Sequence, residues 1–229
     1  MLVTEMHLQF KFQMDKLDSL NYPNFLDEEI DLLLNQAQDR LVKTRYGGNN
    51  VLKESYEETQ KRSEDLKNIT RNAVIVPGVI FPADGIDLLS RFCTLPTDHW
   101  FIIQERCDVS YTDCHNVVAT DRVEVRPIQH SEFTKIIKDP FKKPNKSKIL
   151  RLMENGRVEL VGPSGVFISA YRLRYIKEPV RIDLAGLVDC ELSSHLHQEI
   201  VNSAVQIALE GVEAKRNQTF TPIINNNQE

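Results

Sequence analysis

The apolar residues of this chain change their spacing twice, and that change limits the fold more than any other feature. Up to about residue 72 they recur every three or four positions. From Val74 they gather in short β-branched runs, and from Leu196 the helical spacing returns. A chain written as helix, then strand, then helix segregates its elements into layers. The expected class is therefore α+β, with N- and C-terminal helices forming one bundle and a central antiparallel β-rich region projecting from it.

The helical pattern is sharpest over residues 20–47. Tyr22-Pro23-Asn24-Phe25 reads as a turn, because proline fixes its own φ and pushes the preceding tyrosine out of the helical region. A helix is predicted to follow. Asp27, Glu28 and Glu29 lie at its positive end, while Arg40, Lys43 and Arg45 lie toward its negative end. Ile30, Leu33, Leu34, Ala37 and Leu41 form one apolar face, and Gly47-Gly48 supplies a left-handed cap.

Residues 4–20 predict an earlier helix, capped by Thr4, with Met6, Phe10, Met14 and Leu17 on one stripe. Residues 51–69 predict a third and more polar helix, whose charges form a solvated face or meet another subunit. Residues 195–214 predict a last helix with Leu196, Ile200, Ala204, Ile207, Ala208 and Gly211 on a narrow face suited to close packing. The organisation expected is a helical bundle from residues 1–72 plus 192–216, a β-rich region over 73–191 and a flexible tail over 217–229.

Within the β-rich region, Val74-Ile75-Val76 and Val79-Ile80-Phe81 are separated by Pro77-Gly78 and closed by Pro82. Residues 86–92, 99–111, 121–126, 147–153, 156–161 and 166–175 read as further strands. Turns at Glu154-Asn155-Gly156 and Gly162-Pro163-Ser164-Gly165 divide them, so an antiparallel sheet or small sandwich is expected. Residues 131–138 predict one or two helical turns stopped by Asp139-Pro140, and Lys142, Lys143, Lys146 and Lys148 follow. Phe167, Tyr171 and Tyr175 keep even spacing, which puts them on one face, between sheet and helices.

Composition removes several function classes. The 229 residues are 41% hydrophobic, enough for a substantial core. The apolar run 73–81 is broken by proline and far shorter than the roughly 20 residues of a membrane-spanning helix. No basic-then-apolar leader follows Met1, so synthesis and assembly are expected in the cytoplasm. Cys93, Cys107, Cys114 and Cys190 are too few for a disulfide framework and read as reduced apolar fillers. Without a C-x-x-C pair, zinc bound by Cys107, Cys114, His115, Cys190, His195 and His197 is not expected. A net charge of −5 argues against a dedicated nucleic-acid binder, yet suits a surface past which DNA slides.

No Walker loop, dinucleotide fingerprint, nucleophile elbow or zinc-protease signature occurs. His195 and His197 could pass a proton but fit better as polar residues of a first helical turn. Glu28/Glu29 and Glu57/Glu58 fit better as solvated helix charges than as acid–base pairs. Trp100-Phe101 beside Arg106 could stack bases, though no RNA-binding signature accompanies them. No catalytic residue, cofactor or metal is expected.

Three blocks carry a resemblance: residues 20–47, VRPIQHSEFTKIIKDPFKKPN at 125–145, and CELSSHLHQEIVNSAVQIALEGVEAKRNQ at 190–218. Together they resemble structural proteins of tailed bacteriophages that infect gut Bacteroidetes, including crAss-like phages. Those proteins are similar to the head-to-tail adaptor ring that lies beneath the portal of short-tailed phages. The resemblance implies a non-enzymatic virion protein and a cyclic homo-oligomer, twelvefold to match a portal. Its partners would be the portal protein and other neck or tail rings, with genomic DNA passing the lumen unbound and no membrane involved.

Candidate interface residues follow from physics as well. Tyr22, Pro23 and Phe25 either dock on a neighbour or fill the subunit's own core. Lys142, Lys143 and Lys146 either pair with an acidic adjacent ring or form a solvated loop. The tail from Asn217 is expected to order on assembly. Rival readings are a tail-tube or tail-hub subunit, a tail-associated hydrolase built on His99, Asp98 or His115, and an RNA-binding module on the aromatic strand.

Overall fold

A computed structural model describes residues 1–17, 25–47, 57, 59–78, 85–87, 89–112, 116–154 and 156–211. The class is mixed α+β: five α-helices and a curled seven-stranded sheet are present among the described residues. Two compact units divide the chain, one drawn from Met1–Ile69 and Pro179–Glu229, the other from Thr70–Glu178.

The first unit holds α1 (Val3–Leu17), α2 (Asp27–Gly47), α3 (Gln60–Leu66) and the last helix, α5 (His197–Gly211). Val3, Met6, Phe10 and Met14 bury one stripe of α1, and Ile30, Leu34, Ala37, Leu41 and Val42 bury one stripe of α2. Gln13 on α1 donates to Asn202 on α5, and Arg45 on α2 reaches Glu199 on α5, so α5 touches both. Its buried surface is wider than the narrow face expected. Val201, Val205 and Leu209 are buried along with Ile200, Ala204 and Ala208, while Ile207 is half-buried and Gly211 exposed. A helix apolar on most sides is one surrounded by other elements.

The third predicted helix is shorter where it is described. It runs over Gln60–Leu66 and tightens to a 3-10 turn at Lys67–Ile69, and residues 51–56 and 58 lie outside the described residues. Tyr22, Pro23, Gly48, residues 79–84, Cys114, His115, Asn155 and the tail 217–229 also lie outside them.

The second unit is the sheet, with β1 (Thr70–Ile75), β2 (Arg91–Thr94), β3 (His99–Thr112), β4 (Val118–Pro127), β5 (Lys148–Glu154), β6 (Arg157–Val161) and β7 (Val166–Lys177) in the order β1-β7-β3-β4-β5-β6-β2. One pairing departs from the all-antiparallel expectation. β4 and β5 run parallel, because the connection between them carries the short helix α4 (Phe133–Lys138) and a loop rather than a tight turn. Phe133 and Ile136 of α4 bury themselves against Leu150, Leu152 and Val161 on the outer side of β5 and β6.

The predicted strand over residues 86–92 begins late. Asp87 accepts from the Leu89 amide at 3.0 Å while its own amide donates to Ser90 Oγ at 3.2 Å, and this polar turn leaves only Arg91–Thr94 extended.

The main core lies inside the curl. Cys93, Cys107, Val109, Val123, Val125, Ile149, Val158, Leu160, Ile168, Tyr171, Leu173 and Tyr175 point inward from β2 through β7, and Ala73 and Ile75 of β1 pack against them. The cluster is drawn from the sheet and its turns, not from a sheet–helix interface as the sequence reading expected. Phe167 does not join it. A bulge falls where Ala170 opposes Asp108 while Ile168 opposes Val109, so one extra residue reverses the alternation. Tyr171 is fully buried and Phe167 is 51% exposed.

Candidate functional site

The lysine loop after α4 is an ordered structure. Asp139 Oδ1 accepts from the Phe141 amide at 2.9 Å, and its carbonyl accepts from the amides of Lys142 at 3.2 Å and Lys143 at 2.9 Å. Asn145 Oδ1 accepts from Ser147, and Asn145 and Lys148 exchange backbone hydrogen bonds. Short polar side chains closing on their own backbone fix such loops without help from a core.

This loop presents Phe141, which is 89% exposed, between Pro140 and Lys142-Lys143. Lys142 lies 3.7 Å from Asp139, and Lys146 Nζ sits 4.6 Å above the Tyr111 ring. Both side chains are thus partly engaged within the chain. Phe141 lies in a loop without helical or strand period, so no spacing marks it in the sequence. Its signal was an aromatic residue set between a helix-stopping proline and two lysines.

Of the aromatic-turn candidates only Phe25 is described. Its ring meets the edge of Phe10 at 5.7 Å between centroids and 87° between planes, and Phe10 is fully buried. Leu8 and Phe12, one turn apart, lie on the exposed side of α1.

The catalytic rivals gain little. Tyr175 donates to Asp98 at 3.0 Å, and burial, helped by Arg151, holds the His99 imidazole below its ordinary pKa. His195 and His197 do not act on one another: His195 Nε2 meets Asp65 at 2.7 Å, and His197 Nε2 meets the Leu192 carbonyl at 3.0 Å. No group of three or more His, Cys, Asp or Glu suited to a metal ion occurs among the described residues. Cys93, Cys107 and Cys190 are buried free thiols, and burial pushes the Cys93 thiol up to about 12. Trp100 and Phe101 stack on each other at 5.1 Å, and Arg91 lies 4.2 Å over the Phe167 ring.

Two buried polar knots were not legible in the sequence. Inside the sheet, Arg151 Nε lies 3.0 Å from Glu105 Oε2, and the Tyr171 hydroxyl donates to the same oxygen at 2.7 Å. Burial raises the Glu105 carboxyl above its usual range, against the pull of Arg151 and Tyr171. In the helical unit, Arg45 lies 2.9 Å from Asp65 and donates to both carboxylate oxygens of Glu199 at 2.7 and 2.9 Å. Such residues set geometry and are costly to break one at a time. Glu105 and Arg151 lie 46 positions apart, and Arg45 lies 20 positions from Asp65 and 154 from Glu199, so no local spacing reveals them.

On the outer face of β1, β7, β3 and β4 a third grouping holds Arg106, Arg122, Arg172 and Arg174, with Asp108 2.8 Å from Arg122 and 2.6 Å from Arg172. Among the described residues no helix is long and apolar enough to cross a membrane.

The chain matches the family phage tail ring protein 3/4 over residues 1–220. It is 26% identical over 229 aligned residues to "Ring protein 4/5" of Bacteroides phage crAss001, covering 91% of this chain and 92% of that protein. It is 30% identical over 208 aligned residues to "Ring protein 3" of the same phage, covering 82% of this chain and 86% of that protein. The chain belongs to the phage tail ring protein 3/4 family, and with it to the crAss-like phage ring proteins of the neck and tail.

Proposed function

We propose that this family member forms a closed ring of identical subunits in the portal–tail neck, as a head-to-tail adaptor around the DNA channel. The observation that carries the reading is the family match over residues 1–220. In it the subunit is a non-enzymatic virion component, assembled in the host bacterial cytoplasm. The ring is twelvefold to match a portal, and DNA passes its lumen without specific contacts.

In this reading the terminal helices are one domain, a bundle, and the sheet is the other, each contributing a contact surface. Phe141 with Lys142, Lys143 and Lys146 meets an acidic neighbouring ring, and Tyr22, Pro23 and Phe25 lie at or beneath a subunit contact. An exposed aromatic on an ordered loop suits such an anchor, since little side-chain freedom is lost on docking. Many modest contacts repeated around a closed ring reinforce one another.

A second reading places the ring further along the tail, as a tail-tube or tail-hub ring. The family's own description, a tail ring, favours it. Cryo-electron microscopy of the purified protein, alone and with its candidate portal, separates the two. Closed rings stacked coaxially on the portal support the adaptor. Rings indifferent to the portal support the tail placement, and a monomer under all conditions overturns both.

A further inference from the structure

The outer face of the sheet carries a charge arrangement that its own residues do not neutralise. Register sets Arg106 of β3 directly opposite Arg172 of β7 on one side and Glu124 of β4 on the other, and sets Gln104 opposite Arg174. Directly opposed residues share a face with Cβ atoms about 5 Å apart, where like charges repel. Asp108 serves Arg122 and Arg172 together. Arg174 spends its Nε on the neutral Asn72 side chain at 3.0 Å. The Arg106 side chain is exposed and makes no hydrogen bond or ion pair among the described residues. Arg106, Arg172 and Arg174 line a concavity of about 330 Å³.

The rest of the chain has the opposite balance. The unit Thr70–Glu178 contains 16 Lys/Arg and 13 Asp/Glu, a net of +3, while the remaining residues contain 12 and 20, a net of −8, and together they give the chain's −5. The densest exposed acidic run among the described residues is Asp27-Glu28-Glu29 at the start of α2. Rings of identical subunits use heterologous contacts, in which two different patches of one chain must fit each other. Guanidinium forks donate paired hydrogen bonds to carboxylates, which adds direction to attraction.

We propose that the face built from Arg106, Arg172 and Arg174 docks the acidic helical unit of a second copy of this chain. The inference rests on the ring reading and assigns one of its contacts. Electrostatic complementarity of this kind selects the register of association and makes it salt-sensitive.

The test mixes unlabelled and ¹⁵N-labelled full-length Arg106→Lys protein and couples amines to touching carboxylates with a carbodiimide, at about 50 mM and about 500 mM salt. Mixed-isotope links from position 106 to carboxylates within Met1–Ile69 or beyond Pro179 are expected, falling about tenfold at the higher salt. Links that stay within one isotope, end in the sheet unit or ignore salt overturn the inference.

In parallel, Arg106→Glu and Arg106→Gln are scored for ring formation and for thermal melting. The expected result is a ring population reduced about tenfold by the glutamate, less by the glutamine, with melting unchanged. Normal rings from Arg106→Glu sink the inference and leave the ring reading standing, whereas a wild type that never links or closes, alone or with its portal, defeats both. Salt-dependent binding of a DNA duplex that Arg106→Glu abolishes, with assembly intact, makes this a phosphate-binding face and also overturns the docking proposal.

Discussion

Asn35 of α2 grips the backbone of Ile182 from both sides. The Ile182 amide donates to Asn35 Oδ1 at 2.8 Å, and Asn35 Nδ2 donates to the Ile182 carbonyl at 2.9 Å. Asp31 accepts from the Leu184 amide at 3.1 Å, and Gln38 donates to the Val180 carbonyl at 3.1 Å. Asp31, Asn35 and Gln38 lie one turn apart, so a polar ridge of the helix holds a non-helical segment in place. Replacing Asn35 with alanine removes both bonds and leaves buried backbone groups unpaired. The expected cost is about 2–3 kcal/mol in urea unfolding. A loss below about 0.5 kcal/mol would show that Asp31 and Gln38 hold the segment without it.

The Glu105–Arg151 pair predicts a non-additive pattern. Arg151→Met strands a buried carboxylate and is expected to cost about 3–5 kcal/mol, whereas Glu105→Gln with Arg151→Met removes both charges and costs less than the single change. Denaturant midpoints of the two variants decide it. A double variant worse than Arg151→Met rejects the buried-charge account.

Asp108 gives a pH dependence of defined sign. Partial burial pushes its carboxyl up, but hydrogen bonds and charge from Arg122 and Arg172 outweigh that and hold it below the usual range. A carboxyl lowered in the folded state adds stability above its unfolded value, about 3.9, and loses it as pH falls through the folded one. The wild type is therefore expected to exceed Asp108→Asn in stability at neutral pH by a margin that shrinks toward pH 3. A margin constant between those pH values removes the linkage.

The bulge in β7 predicts opposite outcomes for neighbours. Ile168→Ala, at a buried inward position, is expected to lose about 2–5 kcal/mol, while Phe167→Ala, outside the core, loses less than about 1 kcal/mol. Equal losses would mean that the alternation is not reversed there.

Phe141 separates folding from assembly. Phe141→Asp is expected to leave the melting temperature within about 1 °C of the wild type, because the ring buries almost nothing in the chain. Ring formation, or capture by the neighbouring ring protein, is expected to fall. Intact assembly would return the loop to a solvated surface.

Elements with a repeating local signal were legible before the structure. α2 starts at Asp27 and ends at Gly47, close to where the acidic first turn and the basic last turn placed it; Gly47 is itself helical rather than a left-handed cap, and Gly48 lies outside the described residues. α1 and β3 through β7 also fall close to their expected positions, because period alone identifies a long amphipathic element. The strand near residue 90 was set too early, since Asp87 and Ser90 form a turn within an apolar run.

Sequence by itself determined the class and the places where helix gives way to strand and back. These depend on neighbours a few positions away. Only the tertiary structure decided that β4 and β5 run parallel, that Phe167 leaves the core its spacing promised, and that Glu105 meets Arg151 and Arg106 faces Arg172. Pairing register and bulges couple residues tens of positions apart, and a single inserted residue reverses every side chain beyond it.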